Sequence, residues 1–117
     1  MRGLMTLAAL CGAAGVLVGA FGAHGLASPQ AQEWAATAGQ YLTAHGVAVL
    51  AAGALLRDRT GPGPALMLAG AVVFALALSG LALGLPRWLG AVAPIGGVSM
   101  VAGWLLLGRR LWAELRP

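Results

Sequence analysis

With 117 residues the chain has room for one domain, and its composition is unsuited to water: 60% of its residues are hydrophobic and 9% charged, against about 25% charged in an ordinary soluble domain. A chain this short cannot hide so much apolar surface in one core, so lipid is the solvent its composition implies. The net charge of +4 comes entirely from arginines that stand singly or in pairs between long apolar runs, which excludes the clustered basic face of a nucleic-acid-binding protein and reads as a set of topology signals.

The first apolar stretch covers residues 3–25. It outlasts the roughly 7–15 apolar residues of a signal peptide and is read as a true span. Cys11, the only cysteine, lies inside it. A lone thiol forms no intramolecular disulfide and no multi-cysteine metal site, so Cys11 is a packing residue. Gly12, Gly15, Gly19 and Gly22 recur at spacings of three and four, which places them on one helix face and lets another backbone approach. Gly25 can end this helix, and Ser28 followed by Pro29 can start the next.

A single helix over residues 29–56 would be about 42 Å long, against a hydrocarbon core of about 30 Å. Residues 29–38, which include Gln30, Gln32, Glu33 and Trp34, are therefore expected to form an interfacial turn or short helix. The second span then covers residues 39–56. The run from Arg57 through Pro64 holds two glycines and two prolines and forms a tight polar turn. The third span covers residues 64–85. A break at Pro86, Arg87 and Trp88 leads into the fourth, over residues 88–107. Gly80 with Gly84, and Ser99 with Gly103, add small-residue pairs. Within the fourth span Pro94 removes a backbone donor and Gly96 and Gly97 follow. A packed kink is expected there; the other reading is a local unwinding that lines a small cavity.

These elements predict an all-α integral membrane four-helix bundle in a single domain. Arg2, Arg57, Arg59, Arg109, Arg110 and Arg116 then fall at one face and Arg87 alone at the other. That bias places both termini in the cytoplasm. Trp34 and Trp88 mark the outer interface and Trp112 the inner one, while Trp104 sits deeper.

Ionisable groups at membrane depth are functional candidates by default. No Asp, Glu, Lys or Arg falls deep within a span, which argues against a charge-driven pump or proton-coupled exporter. No nucleophile–base pair is visible, and no catalytic residue, metal site or cofactor is expected. The candidate polar cluster is His24, Gln40, Tyr41 and His45. Two histidines suggest haem held between helices. By helical rise, however, His24 lies at the outer boundary and His45 about 13 Å deeper, too far apart for one iron. Hydrogen-bonded structural histidines are the better reading. His24 sits nearer the level of Glu33 and Gln40, so a hydrogen bond to one of them is expected to tie the first helix to the second. Tyr41 and His45 lie one turn apart on one face.

Three strings, in order, carry a resemblance. Gly19-Ala20-Phe21-Gly22-Ala23-His24-Gly25, the Tyr41-x-x-x-His45 segment, and Pro94-Ile95-Gly96-Gly97-Val98-Ser99 followed by Gly103-Trp104 together resemble the YgdD-type family of small bacterial membrane proteins. The resemblance covers nearly the whole chain. It implies four helices and a location in the bacterial plasma (inner) membrane, and no established activity. His24, Tyr41 and His45 are the matched polar positions; Gln40 stands where the family often has glutamate.

The leading expectation is a non-enzymatic membrane protein, embedded in the lipid bilayer, that packs as an oligomer or with another membrane protein. The glycine stripes Gly15-Gly19-Gly22 and the segment Pro94-Gly96-Gly97 would serve that packing. An oligomeric transporter or channel, and a haem- or quinone-binding redox protein, are the alternatives.

Overall fold

The apolar stretches fold into four helices in the computed structural model, which describes residues Met1–Pro117: α1 (Arg2–Gly25), α2 (Pro29–Leu56), α3 (Gly63–Ala82) and α4 (Leu89–Glu114), with a single 3-10 turn at Arg57–Arg59. No strand is present. All four helices are long and apolar enough to cross a membrane.

The expected break before residue 39 does not occur: α2 runs unbroken from Pro29. Its start is well specified. The Ser28 hydroxyl accepts from the Ala31 amide at 3.0 Å, and Pro29 occupies the first turn, where its missing N–H costs nothing. Residues 30–38 are mostly good helix formers. Gly39 is no breaker either, because it is buried against Gly15 of α1. The resulting helix, about 42 Å long, exceeds a typical hydrocarbon core and must tilt or protrude.

The third helix ends earlier than residue 85. Leu85 N–H reaches the Gly80 carbonyl at 2.9 Å and Gly84 N–H the Leu81 carbonyl at 3.1 Å, with Gly84 at φ 84°. This is a Schellman stop, which needs a residue free to adopt the left-handed conformation. The fourth helix continues beyond residue 107 to Glu114, carrying Arg109 and Arg110 on its last turns.

The helices pair as two hairpins, α1 with α2 and α3 with α4, and α2 packs on α3 between them. Each hairpin is closed by small residues. A Cβ added to Gly15 would lie 2.8 Å from the Gly39 carbonyl, and one added to Gly39 2.6 Å from that of Gly15. Gly70 and Gly96 are related in the same way at 2.5 and 2.6 Å, and Gly63 and Gly103 at 2.8 and 2.7 Å. Backbones this close allow Cα–H···O contacts, and no larger residue fits. The only buried residues of α1 are Ala8, Gly15 and Gly22. They recur every seven positions, as do Gly39, Gly46 and Gly53 on α2 and Gly63, Gly70 and Ala77 on α3, all buried. A seven-residue period holds one narrow seam against a neighbour along the helix. Gly12 and Gly19 lie beside the seam, with open space where a side chain would project.

Larger side chains fill the centre. Leu56, Met67 and Val49 are fully buried, and Ala38, Leu42, Ala71, Ala75 and Met100 form the main cluster, with Cys11 packed against it. The outer surface is the reverse of a soluble protein's: Leu17, Leu76, Val98 and Leu105 point outward, as lipid-facing residues do.

Ion pairs gather both termini and the α2–α3 connection at one end. The Met1 ammonium lies 3.7 Å from Asp58, and Glu114 takes Arg59 at 3.2 Å and Arg110 at 3.5 Å. Arg87 lies in the α3–α4 connection at the opposite end.

Candidate functional site

The one polar network inside the helical core is centred on His45, which α2 buries to 6% exposure. Its Nδ1 lies 2.7 Å from the carbonyl of Tyr41, one turn earlier. The indole Nε1–H of Trp104, on α4, donates to its Nε2 at 3.1 Å. An indole nitrogen can only donate, so Nε2 is the acceptor and Nδ1 carries the proton that goes to the Tyr41 carbonyl. Both ring nitrogens are thereby engaged within the chain.

Aromatic rings surround it. The Tyr41 ring stacks near-parallel to His45 at 6.0 Å and tilts against Phe74 of α3 at 4.8 Å. Trp104 meets His45 edge-on at 6.0 Å. Together with Pro94 and Gly97 these residues line an open groove of about 750 Å³. Tyr41 is 43% exposed in it, and its hydroxyl bonds to nothing in the chain. By helical rise, Tyr41 lies roughly 18 Å from one end of α2 and 22 Å from the other. The groove therefore opens sideways, along the middle turns of α2.

The four polar residues singled out by the sequence do not form one cluster. Tyr41 and His45 come together. Gln40 turns to a different groove, of about 590 Å³, beside Gly15, Gly19 and Thr43. His24 lies exposed on the last turn of α1 and takes no part in a hydrogen bond to Glu33 or Gln40. Another contact ties the two helices: Gln32 Nε2 donates to the Leu26 carbonyl at 2.7 Å. The chain becomes extended at Leu26, which turns that carbonyl toward the start of α2 and leaves His24 outside. Nowhere do three His, Cys, Asp or Glu side chains converge.

The segment at Pro94 also departs from the unwinding that sequence allows. The fourth helix is continuous through Pro94. Proline sits within two turns of the helix start and forfeits a single amide bond, from its own position to Gly90. Gly96 faces α3, buried against Gly70 and Phe74, whereas Gly97 faces open space and the groove. Ser99 helps to hold α4 in place by donating to the Leu66 carbonyl at 2.8 Å.

Residues 18–97 match the model of a family described as protein of unknown function (DUF423). The chain belongs to the DUF423 family. It is 35% identical to a UPF0382 membrane protein of Staphylococcus haemolyticus over 92% of its own length and 93% of the relative's. A UPF0382 membrane protein of Staphylococcus epidermidis is 37% identical over 92% and 93% of the two chains. The UPF0382 inner membrane protein YgdD of Escherichia coli is 33% identical over 91% of this chain and 86% of its own. No solved structure matches. With four apolar helices, this DUF423 member is a multi-pass protein of the bacterial plasma membrane.

The region matched to DUF423 contains Tyr41, His45, Phe74 and Pro94 and stops before Trp104. Phe74 and Trp104 are the aromatic groove residues that the sequence did not mark as a site. One signal could have found Trp104: an indole N–H deep in a span needs an acceptor at its own depth, and His45 supplies it.

Proposed function

We propose that this DUF423 protein is a non-enzymatic assembly component of the membrane, and that the groove between α2 and α4 receives a transmembrane helix of a second copy or of another membrane protein. The observation that carries this reading is the Tyr41 hydroxyl. It lies on a middle turn of α2, part-exposed, with no hydrogen-bond partner within the chain. In hydrocarbon such a group costs several kcal/mol, on the order of 4 or more against water. A neighbouring helix with an acceptor at that level removes the cost. Gln40, at the same depth in the groove on the other flank of α2, calls for a partner in the same way. Polar side chains of this kind join helices in lipid.

The rest of the interior supports the reading. The histidine is locked, no carboxylate is buried, and the small residues are used to bring helices together. With the arginine-rich end in the cytoplasm, as the positive-inside bias favours, both termini lie inside and only Arg87 lies outside.

The test is the mass of the particle extracted from its own membrane into polymer-bounded lipid discs, without detergent. The proposal expects a mass above one copy, and a fall toward one copy for Tyr41→Phe with Gln40→Leu. A single copy with no accompanying polypeptide would remove its support.

A second reading rests on the groove's dimensions. About 750 Å³ is within the range of pockets that hold small lipophilic molecules, and Tyr41, Phe74 and Trp104 offer ring faces and one free hydroxyl. A ligand with a planar ring and a carbonyl would fit. Mass spectrometry of the same discs distinguishes the two, since it detects either a polypeptide or a small molecule at one per chain.

A further inference from the structure

At the arginine-rich end, the furrow between α1 and α2 combines features that suit a different occupant. It is about 830 Å³ in volume. Its floor is mostly apolar, formed by Met5, Ala9, Gly53 and Ala54 with Thr6 beside them, and its rim carries Arg2, Arg57, Asp58 and Met1. Ala9 lies roughly 10 Å deeper along α1 than Arg2. The furrow therefore runs from a cationic mouth into the depth of the bilayer.

The charges at the mouth are not neutralised within the chain. Three acidic residues exist. Glu33 is near the opposite end of α2. Glu114 is held by Arg59 and Arg110. Asp58, on the same rim, faces the Met1 ammonium at 3.7 Å and is otherwise 90% exposed to water. Arg2 and Arg57 form no ion pair. The backbone at Arg57 is also unusual: φ is 53° and ψ −125°, with its N–H donated to the Gly53 carbonyl. A residue with a Cβ rarely adopts this conformation. Arg57 stands at the mouth of the furrow, one turn beyond Gly53 of its floor.

We propose that this furrow binds one anionic phospholipid, its phosphate between the Arg2 and Arg57 guanidinium groups and one acyl chain along Met5, Ala9 and Ala54. Charge complementarity selects the head group, since paired arginines recognise phosphate oxygens by bidentate hydrogen bonds. The apolar floor selects an amphiphile over a free anion, because inorganic phosphate would use the rim alone. Each arginine near the membrane surface is worth about a five-fold preference for an anionic over a zwitterionic lipid.

The experiment is native mass spectrometry of the full chain titrated with phosphatidylglycerol or phosphatidylcholine of matched acyl chains. The wild type is expected to hold one phosphatidylglycerol with at least about ten-fold preference. Arg2→Gln with Arg57→Gln is expected to bring the preference close to one, while Arg109→Gln with Arg110→Gln keeps it. Ala54→Phe, which fills the furrow from an exposed position, is expected to weaken both lipids and leave helicity by circular dichroism unchanged. Excess inorganic phosphate is expected to leave the lipid bound. Retention of the preference in the Arg2/Arg57 variant, equal loss in the Arg109/Arg110 variant, or displacement by phosphate overturns the proposal. The last two outcomes would indicate a general cationic rim and a free-anion site, respectively.

Discussion

The indole of Trp104 donates to Nε2 of His45 at 3.1 Å, joining two helices that otherwise touch little. This bond sets the tautomer of the imidazole and fixes α4 at the edge of the groove. The indole N–H of Trp104 should resonate downfield of the other three tryptophans in an NMR spectrum of indole-labelled protein. His45→Phe should move that one signal alone. Trp104→Phe should lower thermal stability in detergent by about 1–2 kcal/mol, the cost of leaving a buried acceptor unpaired. An unshifted indole signal in His45→Phe would show that the bond does not form.

Gly96 and Gly97 are adjacent, yet they should respond oppositely to alanine. A Cβ at Gly96 would lie 2.6 Å from the Gly70 carbonyl and 2.7 Å from the Phe74 amide, while one at Gly97 meets nothing within 4 Å. Gly96→Ala should therefore cost about 1–3 kcal/mol through forced separation of α3 and α4. Gly97→Ala should be neutral or stabilise by up to about 1 kcal/mol through helix propensity. Thermal unfolding of both variants in one detergent checks the contrast. Gly15→Ala against Gly12→Ala repeats it in the first hairpin.

Much of this organisation was legible in the sequence. Four apolar stretches bounded by Gly25, Pro64 and Pro86 predicted four helices, and the arginines predicted which connections share an end. The start of α2 was legible too, at Ser28 and Pro29. Its continuity was not, because helix length was weighed against bilayer thickness alone and a long helix can tilt or protrude. The glycines of α1 were read at spacings of three and four, which merged seam residues with bystanders. The seven-residue recurrence of Ala8, Gly15 and Gly22 separates them, and it recurs on α2 and α3.

The candidate site was half legible. Tyr41 and His45 share a face by spacing, but their partners Phe74 and Trp104 come from other helices, and only tertiary packing brings them near. His24 shares the candidate cluster with His45, although helical rise places it at the outer boundary. Its place on the last turn of α1 leaves it exposed, where nothing requires it to be paired.

Arg57 should be replaceable by glycine with a gain in stability. At φ 53° and ψ −125° a side chain strains the backbone, and relieving that strain should return about 1 kcal/mol. Arg57→Ala keeps the strain and removes the charge, so it should bring no gain. Equal melting temperatures for the two variants would argue that the backbone at this position is unstrained.

Reporter fusions should place both termini in the cytoplasm. A phosphatase fused after Pro117 should be inactive and a fluorescent protein there should fluoresce, because six arginines share that end. A bright phosphatase signal would require the opposite orientation. Adding arginines beside Arg87 should weaken the preference.

The most direct test of lateral docking is a photo-crosslinker placed at Val101, which lines the groove and is exposed. The variant would be irradiated in intact native membranes. The account predicts a covalent adduct to a second polypeptide, its own copy or another membrane protein, reduced several-fold by Tyr41→Leu and absent when the crosslinker is moved to Leu10, which is exposed on α1. Adducts to lipid alone at Val101, unchanged by Tyr41→Leu, would contradict it.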